Sequence, residues 1–268
     1  MKNTSAFFPK KHLGQNFLID PRIKEKIIAA CEFQPTDTVL EIGPGQGALT
    51  ERIIPLVKEL IAVETDPRLY KELAEKFSDP KATVIHADFL KFPLRNLSPH
   101  LKVIGNLPYY ISTPIIEKMI IHREQITALF ITIQRELGER LTANIDSKEY
   151  GAFTCFVQYY MDVQILFKIK NTAFRPIPKV QSCFLKLTPH RQPALPADNE
   201  EFLFKIIRQA FQQRRKTLLN SLSPLLERTD IARIFDSLGL DPKLRAENLT
   251  LQDYVEITNA LLKQGIGK

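Results

Sequence analysis

The sequence predicts an α/β fold: a mostly parallel sheet with helices on both faces, followed by a small all-helical domain. Three observations predict it. From Thr38 to Leu187, short apolar runs alternate with stretches of helical spacing. A glycine-rich turn stands between the first run and the first of those stretches. From Phe202 onward only helical periodicity remains. Strands alternating with helices favour parallel pairing, because each crossover helix returns over a face of the sheet.

The first strand is Val39 to Ile42, and Ala48 to Val57 follows with helical spacing. Leu60 to Val63 is the second strand. Pro67 to Phe77 opens with proline, which suits the first turn of a helix. Thr83 to Ala87 and Lys102 to Asn106 are the third and fourth strands. The next helix begins at STPIIEKMII, with Ser112 or Thr113 as its cap and Pro114 in its first turn. Ala128 to Gln134 is the fifth strand. Val163 to Ile169 and Ser182 to Leu187 come without a helix between them and predict an antiparallel hairpin at the sheet edge. HRQPALPADNEE reads as a proline-rich linker, and about four helices follow it. The expected domains are 1–191, with a basic N-terminal arm, and 192–268.

No apolar run approaches the ~20 residues of a membrane span, and the basic start carries no apolar stretch of the signal-peptide kind. A cytoplasmic protein without membrane partners is expected, and a monomer. Cys31, Cys155 and Cys183 are too scattered for a metal-ligand spacing or a disulfide framework, so they read as small apolar fillers. The histidines do not cluster, and no metal site is expected. The net charge of +7 favours an anionic partner. Its distribution says more: Lys168, Lys170, Arg175, Lys179, Lys186 and Arg191 lie between Val163 and Ala197 with no acid among them. Arg214-Arg215-Lys216 forms a second basic cluster. Solvated faces also carry such runs, but two of them point to nucleic acid.

The turn after the first strand reads Glu41-Ile42-Gly43-Pro44-Gly45-Gln46-Gly47. Glycines let backbone approach a ligand, and in open parallel sheets ligands lie beyond the carboxyl ends of the strands. A dinucleotide loop has its third glycine five positions after its first. Here the third comes after four, and an acid precedes the loop. That favours S-adenosylmethionine over a nicotinamide, with Gly43 and Gly45 at the cofactor and a Rossmann-like class I methyltransferase domain around it. Glu64 ends the second strand, where a carboxylate can accept from both ribose hydroxyls. Asp88 follows the third strand and can accept from an adenine amine.

Asn106-Leu107-Pro108-Tyr109 lies at the end of the fourth strand, beside that loop. An adenine amine is a poor nucleophile because its lone pair is delocalised into the ring. A site improves it by accepting from both amine hydrogens. The Asn106 side-chain oxygen and the Leu107 carbonyl suit this, and Pro108 fixes the turn between them. Tyr109 can stack on the base. Phe174, in the stiff loop Phe174-Arg175-Pro176-Ile177-Pro178-Lys179-Val180, can take the other face, unless it is simply packed in the core. Arg175 and Lys179 can hold phosphates.

On these residues the chain resembles the ribosomal RNA adenine dimethyltransferase family, and within it the bacterial small-subunit branch. KKHLGQNFL, EIGPGQG, VETD, HADFL, GNLPYYIST, FRPIPKVQS and FQQRRKTLLN carry the resemblance nearly end to end. It implies dimethylation of two adjacent adenosines in a hairpin loop near the 3′ end of small-subunit ribosomal RNA, within a pre-ribosomal particle. It implies cofactor contacts at Asn16, Leu18, Gly43, Glu64, Asp88 and Asn106. The residues alone make the segment around Asn16 a flexible basic arm. Expected RNA contacts are Lys10, Lys11, Arg175, Lys179, Arg214, Arg215 and Lys216. Gly138 stands where alanine is common in the family, at about 1 kcal/mol in a helix interior. Leu219 stands where arginine is frequent. Four alternatives compete: the macrolide-resistance branch acting on large-subunit RNA, a DNA amine methyltransferase, a non-catalytic assembly factor, and a nicotinamide oxidoreductase. The GNLPYYIST form and QRRKTLLN disfavour the first. A second proline is usual in the four-residue motif of the DNA enzymes. The intact loop, Glu64, Asp88 and Asn106 disfavour lost catalysis, and the glycine spacing disfavours a nicotinamide.

Overall fold

Strands covered on both faces need apolar residues on both, and Val39-Leu40-Glu41-Ile42 is buried throughout. The structure, a computed structural model, describes residues 14–193 and 196–267. Its strands are β1 (Phe17–Leu18), β2 (Thr38–Ile42), β3 (Glu59–Glu64), β4 (Ala82–His86), β5 (Leu101–Asn106), β6 (Ile126–Gln134), β7 (Met161–Ile169), β8 (Phe174–Arg175) and β9 (Ser182–Pro189). Its helices are α1 (Pro21–Cys31), α2 (Thr50–Ile53), α3 (Pro67–Lys76), α4 (Ser112–Ile121), α5 (Arg135–Leu141), α6 (Ala152–Tyr160), α7 (Glu200–Gln212), α8 (Leu218–Leu222), α9 (Arg228–Leu238) and α10 (Leu251–Lys263).

Seven strands form one sheet in the order β4-β3-β2-β5-β6-β9-β7. β2 pairs in parallel with β3 on one side and β5 on the other. β9 runs antiparallel to β6 and has β7 as its other neighbour, at the sheet edge. The chain winds outward from β2 to β4, then returns to β2's other side with β5. This reversal puts a crevice beyond the ends of β2 and β5, where the fold places ligands. The fold is Rossmann-like.

Several elements differ from the sequence reading. The stretch 48–57 is only one short helix, α2, followed by a 3₁₀ turn at Ile54–Leu56. Pro55 has no N–H to continue the α ladder. α4 starts at Ser112 itself; no side chain caps it, and the Ser112 hydroxyl donates to the Pro108 carbonyl. α1 is an element the periodicity did not assign. Asp20 caps it by accepting from the Arg22 and Ile23 amides, and Pro21 occupies its first turn. Ile27 and Cys31 are its buried side chains. Gly138 in α5 has a packing reason. A Cβ there would lie 2.3 Å from Cys183 Sγ on β9, so alanine would require the Cys183 side chain to shift.

The chain divides into two units. One comprises residues to Gly138 and Asp162–Pro189; the other comprises Glu139–Met161 and the residues from His190. Residues 139–161, placed by the sequence in the larger domain, thus group with the C-terminal helices. The reason is aromatic packing. Phe156 meets Phe204 edge-on at 5.2 Å, and Tyr150 meets Phe211 at 5.8 Å. Tyr150 also donates to the Leu249 carbonyl. Asn199 caps α7, and a Thr250–Asp253 capping box opens α10. None of the helices among the described residues is long and apolar enough to cross a membrane.

Candidate active site

The larger unit holds a cavity of about 360 Å³ at the strand ends. Gly43, Gly45, Glu64, Asp88, Asn106, Leu107, Pro108, Tyr109, Phe174, Asn16 and Leu18 all line it. The glycine loop is shaped by positive φ: +64° at Gly43, +62° at Gly45 and +75° at Gly47. The three glycines serve different ends. A Cβ on Gly47 would strike the Phe77 ring at 2.5 Å, and one on Gly45 would press on Phe17 at 3.2 Å. A Cβ on Gly43 would meet nothing within 4 Å, so its backbone faces open cavity.

Glu64 is 4% exposed. One carboxylate oxygen accepts from the Gly45 amide at 3.0 Å and the other from the Asp66 amide at 2.8 Å. Burial raises its pKa, and those amides oppose the rise. Each oxygen keeps acceptor capacity for a hydroxyl. Glu41, before the loop, is fully buried and accepts from the Thr50 hydroxyl at 2.7 Å. Burial pushes its carboxyl up to about 7, with the Glu64 charge adding to the rise. Asp88 is exposed to the cavity side, and its carboxylate accepts from the Leu90 amide at 2.9 Å, which fixes the loop after β4.

The arm-like segment is not a free arm where it is described. β1 pairs antiparallel with β8, setting Leu18 opposite Phe174 and Phe17 opposite Arg175. The Ile19 amide donates to the Ala173 carbonyl at 2.8 Å. Gln15 donates to the buried Asp66 carboxylate at 3.2 Å. Asp66 lies well below the usual carboxylate range, chiefly because Arg68 donates to it. These links place Asn16 and Leu18 on the cavity.

Asn106 Nδ2 donates to the Asn16 carbonyl at 2.9 Å. This fixes the amide so that Oδ1 is left as its acceptor. The Leu107 amide donates to the Thr132 carbonyl at 3.1 Å, tying the turn to β6. Pro108 accepts from the Ile111 amide at 3.1 Å, closing the 3₁₀ turn that carries Tyr109. The Tyr109 hydroxyl hydrogen-bonds Ser182 Oγ at 2.7 Å, and burial raises its pKa. Phe174 is 1% exposed and belongs to a core cluster with Leu18, Ile27 and Phe184, so it is a core side chain as well as cavity lining. Tyr110, which sequence reasoning passed over, is 59% exposed at the cavity rim, its ring against Gly14. Its signal was only the doubling of tyrosine in GNLPYYIST.

The basic residues separate. Arg175 and Lys179 are exposed, on a loop that also exposes Ile177 and Val180. Arg214 is engaged: it pairs with Glu247 at 2.8 Å and donates to the Lys148 carbonyl at 2.7 Å. Arg215 and Lys216 are exposed. Lys10 and Lys11 lie outside the described residues. The three cysteines are buried thiols. Among the described residues no group of three or more His, Cys, Asp or Glu could hold a metal.

The site's donor set fits S-adenosylmethionine: an open backbone face at Gly43, a buried carboxylate at Glu64 and a second carboxylate at Asp88. The chain matches the model of a family described as ribosomal RNA adenine dimethylase over residues 7–263. A ribosomal RNA small subunit methyltransferase A of Halothermothrix orenii is 41% identical over 263 residues, covering 94% of this chain and 87% of its own. One of Clostridium botulinum is 37% identical over 264 residues, covering 97% and 96%. A crystal structure of a dimethyladenosine transferase from Plasmodium falciparum has a TM-score of 0.81 at 27% identity, covering 93% of this chain and 98% of that one. The 23S rRNA methyltransferase ErmE shares the fold, with a TM-score of 0.73 at 24% identity and coverage of 92% and 99%. Matched along nearly its whole length, the protein belongs to the ribosomal RNA adenine dimethylase family and is an S-adenosylmethionine-dependent rRNA adenine dimethyltransferase.

Proposed function

We propose that the protein dimethylates the exocyclic amines of two adjacent adenosines in a hairpin loop near the 3′ end of small-subunit ribosomal RNA, in the assembling small subunit. The observation that carries the chemistry is the Asn106 amide. Its nitrogen is committed to the Asn16 carbonyl, so its oxygen is the atom left to accept from an amine. The choice of the small subunit is supported by relatives at 37–41% identity named for that subunit. The protein acts, on this reading, as a monomer in the cytoplasm.

S-adenosylmethionine, when bound, supplies an electrophilic methyl group on a positively charged sulfur. Glu64 accepts from the ribose hydroxyls, Asp88 from the adenine amine, and Gly43 and Gly45 let the loop lie close. Asn16 and Leu18 cover the cofactor. Asn106 Oδ1 and the Leu107 carbonyl accept from the two hydrogens of the target amine. Its lone pair then leaves conjugation with the ring, and the positive charge that develops on nitrogen is stabilised. Pro108 holds that carbonyl in place. Tyr109 and Phe174 offer aromatic surface to the flipped base. Holding amine and methyl in line supplies the remaining acceleration, and no titratable base is required. Arg175, Lys179, Arg215 and Lys216 contact phosphates.

Incubation with labelled cofactor and under-methylated small subunits, followed by mapping of the modified nucleotides, tests this. Two neighbouring dimethyladenosines near the 3′ end of the small-subunit RNA are expected. Label in large-subunit RNA alone would overturn the substrate assignment.

A further inference from the structure

Lys118 lies on α4, outside every motif that marks the site. Its ammonium donates to three backbone carbonyls of one loop: Phe89 at 2.7 Å, Leu90 at 3.0 Å and Phe92 at 2.6 Å. An ammonium has three hydrogens, and here three acceptors converge on it. It also lies 5.2 Å from the centre of the Phe89 ring. Burial lowers its pKa and the Asp88 charge raises it, so the carboxylate is near enough to be felt.

The loop it holds runs on directly from Asp88. Asp88, Phe89 and Leu90 line the cavity. Within the loop, Asp88 is tied to the Leu90 amide by its side chain and to the Lys91 amide by its carbonyl. Those bonds shape the turn but do not attach it to the rest of the unit. Lys118 does. Its helix is anchored below by Ile115, Ile116, Met119 and Ile120, all 0–2% exposed. A flexible side chain is thereby fixed at both ends.

We infer that Lys118 is a positioning residue for the cofactor's adenine, acting by clamping the Asp88–Phe92 loop to α4. The inference rests on the assignment of Asp88 to the adenine amine. Without the clamp the loop keeps its internal turn, the Ala87 amide's bond to the Glu64 carbonyl and the buried Phe89 ring, but the Leu90–Phe92 side is released and Asp88 is held less closely at one distance from the cavity. Recognition of the amine should weaken, while binding through Glu64 should persist. A lysine that merely stabilised the fold would weaken binding of every ligand alike.

The test compares two ligands, S-adenosylhomocysteine and S-inosylhomocysteine. In the second, a carbonyl oxygen replaces the adenine amine and faces the carboxylate unfavourably. Calorimetry on the full chain should show that the unaltered protein prefers the adenosyl ligand. Lys118→Met, which keeps the apolar stem, should lose about tenfold in affinity for the adenosyl ligand and little for the inosyl one. The preference should therefore collapse. Lys118→Arg, which can still donate to carbonyls, should retain part of it and guards against a methionine variant that fails to fold. In turnover, the KM for S-adenosylmethionine should rise while kcat changes less. A folded variant that keeps the full preference overturns the clamp. Absence of any preference in the unaltered protein overturns the Asp88 assignment, and the clamp's role with it.

Discussion

Two walls enclose the cavity, and they are built by different means. One is a row of strand ends: Gly43 after β2, Glu64 closing β3, Asp88 after β4 and Asn106 closing β5. Each residue is placed by its own strand, and the sheet register places the strands. The other wall is Asn16 to Leu18 with Phe174, segments far apart in sequence that meet through the short pair β1 and β8 and through the Ile19 amide's bond to the Ala173 carbonyl. A wall of strand ends inherits the stability of the sheet. A wall of two paired dipeptides depends on side chains packed beneath it. The walls touch where Asn106 donates to the Asn16 carbonyl and where Gly45 lies against Phe17. Chemistry at the first wall should therefore be separable from stability, and at the second wall it should not.

Phe174→Ala breaks the second wall and should give the largest effect. The ring is 1% exposed in a core that includes Leu18 and Ile27. Its loss should cost about 3–5 kcal/mol in chemical denaturation. Cofactor binding should fall with it, because Leu18 loses its support. Phe174→Leu should recover part of both. A stable alanine variant with lost turnover would leave base stacking as the whole role of Phe174, in a core that does not need the ring.

Glu41→Gln tests the first wall's stability by pH. Folding raises the Glu41 carboxyl from 4.5 to about 7, so protonation is favoured in the folded state. The stability it contributes is fully present below the unfolded value and is lost as pH rises through the folded one. The loss should be on the order of 3 kcal/mol between about pH 4.5 and 8. Glu64 is also raised and acts in the same sense. Glutamine can still accept from Thr50 and does not titrate. Melting temperatures across that range should fall more for the unaltered protein than for Glu41→Gln. Parallel curves would mean that Glu41 remains charged at low cost.

Asn106→Ala sharpens the separation. The strand end should fold normally, yet turnover should fall about a hundredfold, or ~2.7 kcal/mol. Affinity for RNA should stay near that of the unaltered protein, since phosphate contacts lie elsewhere. Cofactor affinity should drop modestly as the link to Asn16 is lost. Methylation at more than about a tenth of the normal rate would show that the amine is not activated by Asn106 Oδ1.

The same division explains what was legible in the sequence. Each strand end announced itself locally, as an apolar run followed by glycine, acid or Asn-Leu-Pro-Tyr. Such patterns carry their own geometry, because a strand fixes the direction in which the chain leaves it. α1 was equally local in its signal, Asp20 before Pro21, but the basic residues around it drew the reading toward an arm. The pair β1 and β8 had no local signal. Two residues on each side are too few for alternation to show, and only resemblance brought Asn16 to the cofactor. Residues 139–161 group with the C-terminal helices for a related reason. Their aromatic residues meet Phe204 and Phe211, partners far along the chain that no local pattern names.

The basic cluster of the second unit gives the smallest expected effect and the plainest contrast between neighbours in sequence and partners in space. Arg214, Arg215 and Lys216 read as one patch. Arg214 instead meets Glu247, and its guanidinium also donates to the Ser147 and Lys148 carbonyls. It is not available to hold a phosphate without breaking that set. Arg214→Ala should therefore lower stability, by about 1 kcal/mol once solvent screening of a partly exposed pair is allowed for. It should leave the salt dependence of RNA binding nearly unchanged. Arg215→Ala with Lys216→Ala should do the reverse, since both side chains are exposed. Each lost phosphate contact lowers the log–log salt slope by roughly 0.7–0.9, so the double variant should lower it by about 1.4–1.8 with the melting temperature kept. Titrations of small subunits at several salt concentrations separate the cases. An unchanged slope in the folded double variant would move the phosphate contacts to Arg175 and Lys179. A reduced slope in Arg214→Ala would show that RNA displaces Glu247, and that the pair is a resting partner.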